Sequence, residues 1–397
     1  MRRYLRRDVG AYSAFWRAPA EGDFDRIPAR RFGDLAAHAP NLVLRPDVAS
    51  IYRAGPRRLA VRTAWSRLWG RQHVVNDKVL VPYYKPVLWL LHDGVPIGYA
   101  ESDVDRLADI GARWLADAGV RPDDVVLNLL PSGPNLAWWQ TVVGCRRARL
   151  SAVHLGANPD PATVVDLRPT VLVGRPMDVL RLLAVAYDIQ PRIVLAVGRP
   201  MDKGLRSRLS AAATGAPVLS AWAPPGVRAM WTECKGGADR GLHTWPASEV
   251  LELVDPLTGM SAPSGAGGEV VWSPLGWHGT VMLRLRTGVF GTIDVGACPA
   301  CGRNAPRLLV AGSTPHFFDI LDRHPDVTGW QAELRTVDGT EELIVFISTS
   351  RADRLEPMLR ELDTSLSVTQ FVVLAEADLD RRIAAADDAR VVDLRPS

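Results

Sequence analysis

Buried strand patterns alternate with amphipathic helix patterns through the middle of the chain, and this alternation restricts the fold more than any other feature. Residues 101–119 place apolar side chains three and four positions apart and end at Gly119, as an amphipathic helix does. The run "DDVVLNLL" that follows is typical of a buried strand, and the same alternation continues to about residue 198. Strands that alternate with helices predict a parallel sheet covered on both faces.

The pattern changes twice further along the chain. After about residue 245 short strands and turns follow one another, as in "SEVLELVDPLTG", "GGEVVWSPLG", "GTVMLRLRTG" and "GTIDVGA", which predicts a β-rich subdomain. Beyond about residue 314 we expect strands at 330–337, 342–348 and 369–376 with a helix over 351–366. The chain therefore ends in a small α+β unit.

Composition excludes several classes of function. Of the 397 residues 47% are hydrophobic and 23% are charged, as in an ordinary globular protein. The 47 basic and 44 acidic residues leave a net charge of +3, too small to favour nucleic acid as a partner. The most apolar run, "VLVPYYKPVLWLL", is interrupted by Pro82, Lys85 and Pro86 and falls short of the ~20 residues of a membrane span. No signal-peptide pattern is found, so we expect a cytoplasmic protein without a membrane span.

The chain has four cysteines, and two of them form the pair Cys298-Pro-Ala-Cys301. A redox role for a Cys-x-x-Cys pair favours a helix start after a strand, whereas a Gly-Arg-Asn run follows here. A zinc site is the other interpretation, because such a turn presents two thiolates to a tetrahedral ion. Cys145 is expected to be a small core residue.

Two more zinc ligands are available upstream of this pair. Cys234 and His243 lie nine positions apart around a flexible Lys-Gly-Gly-Ala segment, and with Cys298 and Cys301 they make a Cys₃His set. The two halves lie more than fifty residues apart, so spacing alone leaves zinc and a set of unrelated buried cysteines equally open.

A succession of motifs resembles a known family. The order of "RWLADAGVRPDDVV", "RPTVLVGRP", "EC" before "GLHTW", "LELVDPLTG", "GGEVV", "RLRTG" and "CPACGR" is similar to the phenylacetate–coenzyme A ligase branch of the adenylate-forming (ANL) superfamily. The resemblance runs from about residue 75 to residue 310 and more faintly to the end.

The resemblance implies an α/β fold in which a large N-terminal domain precedes a small mobile α+β domain. We assign residues 1–312 to the first, with its β-rich part at about 230–312, and 313–397 to the second, with a hinge near 312–328. It also implies activation of a carboxylic acid by ATP followed by thioester formation. Some members of this branch carry a structural zinc at these motifs, which favours zinc on Cys234, His243, Cys298 and Cys301.

Several of the family's nucleotide motifs are altered here. The Ser/Thr/Gly-rich phosphate loop corresponds to "PVLWLLHDGVPI", which has one glycine, Gly94, and an acidic Asp93. We therefore interpret this stretch as an apolar loop packed on the core. The family's Tyr-Gly-x-x-Glu segment corresponds to "SAWAPPGV", with Pro224 near the magnesium-binding glutamate. In the ribose segment Arg286 and Thr287 persist as a vestigial nucleotide site, but Val289 replaces the carboxylate.

The lysines give a further test, because the family uses a C-terminal lysine to stabilise developing negative charge. Lysine occurs only at positions 78, 85, 203 and 235, and Asp387 lies near the family's lysine position. Binding of ATP, Mg²⁺ and coenzyme A is therefore in doubt.

Two hypotheses follow for the function. The favoured one is a diverged homologue that does not adenylate and acts as a binding or partner protein, or in an acyl step without ATP. The alternative is an active AMP-forming acyl- or aryl-CoA ligase with a rebuilt nucleotide site in which Arg284 or Arg286 meets phosphate. A small-molecule acid, an acyl-CoA and a protein are the candidate partners, and no catalytic residue is assigned.

Other side chains are weaker candidates for a site. Trp272 and Trp277 would suit a pocket for a flat ligand, although core packing is the commoner use of tryptophan. His154, His278 and His316 are candidate general bases, but none has an acid partner at a telling spacing.

Overall fold

A computed structural model describes most of the chain. The described residues are 1–9, 12–13, 15–16, 24, 27–46, 61, 81–186, 188–198, 201, 203–254, 260–262, 267–312, 321, 326–337, 340–349, 351–354, 356–357, 359–360, 370–386 and 391–393.

Strands and helices follow one another along these residues. The strands are β1 Arg30–Arg31, β2 Pro86–His92, β3 Val95–Ala100, β4 Val125–Asn128, β5 Ser151–His154, β6 Val171–Gly174, β7 Ile193–Val197, β8 Val218–Trp222, β9 Trp231–Thr232, β10 Leu242–His243, β11 Glu249–Val254, β12 Gly268–Pro274, β13 Leu285–Asp294, β14 Arg307–Gly312, β15 Val327–Val337, β16 Thr340–Thr349, β17 Gln370–Val373 and β18 Val391–Asp393. The helices are α1 Arg2–Tyr4, α2 Phe32–Ala36, α3 Val81–Tyr84, α4 Glu101–Asp117, α5 Leu136–Ala148, α6 Pro161–Leu167, α7 Pro176–Val185, α8 Lys203–Ala212 and α9 Glu376–Ala385.

One large sheet forms the framework of residues 30–312. Its order is β11-β12-β13-β14-β10-β9-β8-β7-β6-β4-β5, and β1 pairs with β13 off this path. Strands β5, β4, β6, β7 and β8 are parallel, and the pairing turns antiparallel from β8 to β11. The predicted α/β class, with a parallel sheet and a β-rich part, is confirmed.

The parallel strands bury both of their faces. Val171 and Val173 of β6 belong to the core that includes α4 and α5, whereas Leu172 belongs to a second core with α6, α7 and α8. Because successive side chains of a strand point to opposite faces, this division places helices on both sides of the sheet. The continuous apolar runs of the sequence reflect this double burial.

Helices α4 and α5 cross at a pair of glycines. A Cβ atom on Gly111 would lie 2.8 Å from the Cα of Gly144, and one on Gly144 would lie 2.9 Å from the Cα of Gly111. Since both contacts are with backbone atoms, neither position accepts a side chain without a shift of the helices.

Strand β13 differs from the prediction of separate strands at 279–288 and 291–297. One strand covers Leu285–Asp294, and its pairing with β12 shifts register between Glu269 and Val271. Gly288 lies at the shift with φ of 68°, a value that favours glycine in a β-bulge. The sequence analysis placed two strand segments here where the structure has one, and that part of the prediction was wrong.

A buried ion pair joins several segments around α4. Arg228 Nη2 lies 3.2 Å from Asp103 Oδ2, and the two side chains are 2% and 0% exposed. Backbone groups supply further partners: Arg228 donates to the carbonyls of Gly98 and Thr280 through its Nη atoms, and Asp103 accepts the N–H groups of Ala100, His278 and Gly279. These hydrogen bonds offset much of the cost of burying the two charges, although Arg228 Nε is buried without a hydrogen-bond partner among the described residues.

Two aromatic rings enclose the same guanidinium. The Cζ atom of Arg228 lies 3.9 Å from the ring centroid of Tyr99 and 4.8 Å from that of Trp277. A desolvated guanidinium gains from such contacts because the ring face carries negative potential.

A second sheet lies in the C-terminal part, in the order β17-β16-β15-β18. Helix α9 packs on β15 and β16, and it also contacts α8 of the first part through Arg208. Arg208 Nε lies 2.7 Å from Glu376, and its Nη1 donates to Asp380 over 2.6 Å. The domain boundary at 312–313 stays a prediction, and most of the predicted hinge lies outside the described residues.

Among the residues that the structure describes, no helix has both the length and the apolar character that a membrane span requires.

Replacing Arg228 tests the buried pair. We expect Arg228→Met to lower the free energy of unfolding by about 3–5 kcal/mol, because Asp103 is left as an uncompensated buried charge. Urea unfolding followed by tryptophan fluorescence measures this change.

The control is Arg147→Gln, which removes exposed ion pairs to Asp105 and Asp109 and should cost less than about 1 kcal/mol. Arg228→Met with Asp103→Asn should recover part of the loss. Equal effects of Arg228→Met and Arg147→Gln would contradict this account.

Candidate metal centre and ligand cavity

The sheet brings the four predicted metal ligands together. Cys234 follows β9, His243 ends β10, and Cys298 and Cys301 lie in the turn between β13 and β14. Strand β10 pairs with β9 on one side and β14 on the other, which places the two halves of the set side by side. Their ligand atoms all lie within 4.8 Å of one another.

The distances fit a tetrahedral ion. Cys234 Sγ lies 3.8 Å from Cys298 Sγ, and Cys301 Sγ lies 3.6 Å from His243 Nε2. A tetrahedral ion with metal–sulfur bonds of ~2.3 Å separates its ligands by ~3.8 Å. Four protein ligands fill such a shell and leave no position for a substrate, as in structural rather than catalytic sites.

The electrostatics of three of these groups also suit a cation. Burial, and then Arg303, lowers the pKa of His243 to about 4, so its imidazole is neutral and free to ligate at neutral pH. Burial raises the pKa of the Cys234 thiol to about 12. Burial opposes ionisation of Cys298 too, but the N–H groups of Cys301 and Ala300 lower its pKa below the ordinary value. A divalent cation would supply the charge that the buried thiolates lack.

The centre is connected to the end of α4. Arg303 Nη1 donates to Asp117 Oδ2 over 3.0 Å, and its guanidinium lies 4.3 Å from the ring centroid of Trp245. The N–H of Lys235, next to Cys234, donates to the carbonyl of Asp117 over 3.0 Å. The four ligands therefore lie where the β-rich part meets a helix of the parallel part.

A separate cavity of about 530 Å³ lies at the carboxyl ends of the parallel strands. Its lining includes Leu130 after β4, Arg175 after β6, Gly198 after β7 and Ala223 after β8. Strands β5 and β6 lie on opposite sides of β4, so the winding of the sheet reverses there. Open parallel sheets bind ligands in the crevice at this position.

Most of the residues that line the cavity are apolar, although polar atoms make up the larger part of its surface. Leu91, Leu136, Trp222 and Met230 belong to the apolar wall. Among the polar residues, Asn135 accepts the N–H groups of the first turn of α5.

His92 lines this cavity as a neutral acceptor. Its Nδ1 accepts the N–H of Gly226 over 3.1 Å, and the hydroxyl of Tyr99 lies 3.4 Å from its Nε2. Burial, and then the charge of Arg228, lowers the pKa of His92 to about 3. At neutral pH His92 therefore contributes no positive charge to the cavity.

Positive charge reaches the cavity through Arg175. Its Nε donates to Asp178 over 2.8 Å, and Arg181 donates to the same carboxylate over 2.7 Å. Two guanidinium groups on one carboxylate carry one net positive charge. Asp178 is buried, so the carboxylate that joins the two guanidinium groups is fixed in position.

A two-residue turn closes one side of the cavity. Strands β2 and β3 pair from Pro86 to Ala100, and His92 pairs with Val95, which leaves Asp93 and Gly94 as the whole turn. Their φ values of 46° and 77° place both in the left-handed region, as in a type I′ hairpin. The sequence interpretation took this stretch as an apolar loop, although Asp-Gly between apolar runs is a recognised hairpin signal.

Arg286 and Thr287 lie in β13 rather than at this cavity. Arg286 Nε donates to Glu269 Oε2 over 2.8 Å, and Thr287 Oγ1 donates to the carbonyl of Val270 over 2.7 Å. Val289 is buried in the core. None of the three is among the described residues that line the cavity.

The other candidate residues from the sequence make contacts that are typical of residues with a structural role. Trp272 and Trp277 are buried, and their indole N–H groups donate to Glu249 and to the carbonyl of Ser248. His154 contacts Asn128 and His278 contacts Ser102. His316 lies outside the described residues.

Comparisons with known proteins give distant sequence relatives. No family model matches the chain. It is 24% identical over 287 residues to phenylacetate-coenzyme A ligase of Pseudomonas putida, covering 66% of this chain and 62% of that protein. It is 26% identical over 227 residues to the phenylacetate-coenzyme A ligase of Thermus thermophilus, covering 53% of this chain and 50% of that protein. The matched region is thus less than two thirds of each relative.

Solved structures match the fold over nearly the whole chain. A 2-hydroxyisobutyryl-CoA ligase, in the postadenylation state in complex with R3-HIB-AMP, superposes with a TM-score of 0.70 at 18% identity, covering 97% of this chain and 90% of that one. A benzoate CoA ligase from Burkholderia xenovorans gives a TM-score of 0.51 at 16% identity, covering 73% and 65%.

The buried neutral state of His92 predicts a pH effect on stability. The pKa of His92 falls from 6.5 in the unfolded chain to about 3 in the fold. The stability that His92 contributes is therefore complete above pH 6.5 and is lost as the pH falls towards 3. At pH 5 the loss amounts to about 2 kcal/mol.

Exchange of His92 for asparagine isolates this effect. Asparagine offers Oδ1 as an acceptor to the N–H of Gly226 and does not titrate. Between pH 7 and pH 5 the free energy of unfolding of His92→Asn should therefore fall by about 2 kcal/mol less than that of the unaltered protein. Urea unfolding at the two pH values measures the difference. His38→Asn, at an exposed position, serves as the control and should keep the original pH dependence. An unchanged pH dependence in His92→Asn would show that His92 does not titrate in this way.

Proposed function

We propose that this relative of the phenylacetate–coenzyme A ligases, which has the fold of acid–CoA ligases of the ANL superfamily, binds an apolar carboxylic acid without adenylating it. The cavity of about 530 Å³ at the carboxyl ends of the parallel strands is the proposed binding site. In this role the chain is a binding protein. An acyl-CoA or a protein partner would contact it at the same cavity. The relatives named above are ligases for phenylacetate, 2-hydroxyisobutyrate and benzoate, which motivates an acid as the ligand.

The observation that carries the proposal is the turn between β2 and β3. A phosphate loop wraps its anion with several consecutive backbone N–H groups and adds a lysine. The turn here consists of Asp93 and Gly94 alone, and its carboxylate would repel phosphate. A loop of this length has too few N–H groups to surround a triphosphate.

The charges along the cavity support the same conclusion. Among the described lining residues Arg175 is the one cation and Asp93 the one carboxylate. Phosphoryl transfer relies on several cationic groups and on Mg²⁺ held by oxygen ligands. One net positive charge near Arg175 suits a single carboxylate better than a magnesium–triphosphate complex.

The ribose segment adds a second argument. Arg286 forms an ion pair with Glu269, which is 5% exposed, and moving it to a nucleotide would leave that carboxylate buried without this cation. Val289 offers no acceptor to a ribose hydroxyl. We therefore do not assign Arg286 and Thr287 to a working nucleotide site.

We further propose that Cys234, His243, Cys298 and Cys301 bind one structural zinc ion. The tetrahedral spacing of the four ligand atoms and the closed set of thiolates and imidazole favour zinc over harder ions. When bound, zinc would hold the β9, β10 and β13–β14 segments together whether or not a ligand occupies the cavity.

Adenylation assays test the proposed function. We expect no acid-dependent AMP formation or ATP–pyrophosphate exchange above background with phenylacetate or 2-hydroxyisobutyrate, and a Kd for ATP–Mg²⁺ above about 1 mM. Acid-dependent AMP formation that is lost in Arg286→Gln would instead support the active ligase.

Calorimetry tests binding of the acid itself. Phenylacetate should bind to the protein without ATP, and Ala223→Trp should weaken binding at least tenfold because the indole fills the cavity. Val295→Trp, on an exposed side chain away from the cavity, should leave the affinity unchanged. Absence of any acid binding by the unaltered protein would refute the binding function.

Metal analysis tests the zinc site. We expect about one zinc per chain in protein purified without chelators, and Cys301→Ser should lower both the metal content and the Tm, because binding to a site assembled on folding stabilises the fold. Cys145→Ser, buried outside the cluster, should keep the metal. Protein with no bound metal and an unchanged Tm in Cys301→Ser would exclude the site.

A further inference from the structure

Three exposed apolar side chains lie on one face of β2. Val87, Trp89 and Leu91 are 54%, 46% and 46% exposed. The intervening Leu90 is buried, as the alternation of a strand requires. We call Val87, Trp89 and Leu91 the apolar stripe. At ~3.3 Å per residue the stripe is ~13 Å long.

The middle of the stripe is held flat against the hairpin. Trp89 pairs with Gly98 of β3, and a Cβ atom on Gly98 would lie 3.1 Å from the Cη2 atom of the indole. Pro86 would lie 2.9 Å from the same added atom. The missing side chain at Gly98 thus leaves room for the indole to lie across β3 beside Pro86.

The stripe is continuous with the cavity. Leu91 belongs to both, because it is exposed on β2 and also lines the cavity beside His92. Trp89 and Val87 follow it at two-residue steps away from the cavity, on the same face of the strand. An apolar molecule that leaves the cavity past Leu91 therefore meets Trp89 next.

The polar groups of the cavity give such a molecule a direction. Arg175 follows β6 at the carboxyl ends of the parallel strands and forms a group of one net positive charge with Asp178 and Arg181, whereas β2 belongs to the separate two-stranded hairpin. The apolar residues that line the same cavity include Leu130 and Leu136. A ligand with an anionic head near Arg175 and an apolar tail over Leu91 matches this distribution of charge.

We propose that the apolar stripe binds the tail of the ligand, and that the ligand class is a medium- or long-chain carboxylic acid. This inference rests on the proposed function, since it assigns the chain length of the acid that the cavity takes. The side chains of Val87 and Trp89 are removed from contact with water only when the tail extends beyond Leu91. Affinity should therefore increase with chain length beyond what the cavity alone accounts for.

A chain-length series tests the proposal. Isothermal titration calorimetry with hexanoate, octanoate and decanoate, each below its micellar concentration, should give affinity that rises by up to about fourfold per methylene in the unaltered protein. The double variant Val87→Ser/Trp89→Ser should bind hexanoate as before and gain less than twofold from hexanoate to decanoate. Val185→Ser, at a 52% exposed position on α7 that does not line the cavity, should behave as the unaltered protein.

The outcomes separate this inference from the proposed function. Hexanoate binding with no further gain for decanoate would overturn the role of the stripe and leave acid binding intact. The same gain in Val87→Ser/Trp89→Ser as in the unaltered protein would also overturn it. A change in oligomeric state of the double variant, with the chain-length gain unchanged, would assign the stripe to contact with a second copy. No binding of any acid would refute the proposed function itself.

Discussion

The buried pair of Arg228 and Asp103 fixes the parts of the molecule that surround the cavity. Asp103 lies in the first turn of α4, and the partners of the pair come from β3 and from the segment that precedes β13. A shift of any of these segments therefore exposes an unpaired charge or carbonyl to the core. Arg228 itself follows β8 by a short loop, and Gly226 in that loop donates to His92 at the end of β2. The charge pair thereby holds the β2–β3 hairpin against the large sheet, although the hairpin has no strand pairing with that sheet.

The sequence predicted the parallel part of the fold because both of its periodicities are strong there. A helix such as α4 shows the three-to-four spacing, and strands such as β6 and β7 are buried along their whole length, which requires uninterrupted apolar runs. The strands of the β-rich part were harder to predict from the sequence, because β9 and β10 are only two residues long and Gly288 forms a bulge inside β13. Short strands depend on pairing with distant segments, and that information is not local.

The two candidate sites also differ in how far the sequence predicts them. The four metal ligands could be found because cysteine is rare in this chain and the Cys-x-x-Cys spacing restricts geometry. His92 and Arg175 gave no such signal. Their positions on the cavity wall follow from the order of strands and from a contact between His92 and Gly226 across 134 residues. The paired glycines of α4 and α5 were likewise not anticipated, since a close helix crossing needs both sequences at once.

The turn of Asp93 and Gly94 also bears on how this fold can change. The tip of a hairpin accepts inserted residues at low cost, because loop closure depends weakly on length and the flanking pairs from His92–Val95 inwards keep the register. Lengthening the chain at this one point would add backbone N–H groups beside the cavity while the charge pair below the hairpin and the four-ligand cluster keep their surroundings. For protein engineering, the tip is therefore a position at which the length of this turn can be varied while the rest of the fold keeps its contacts.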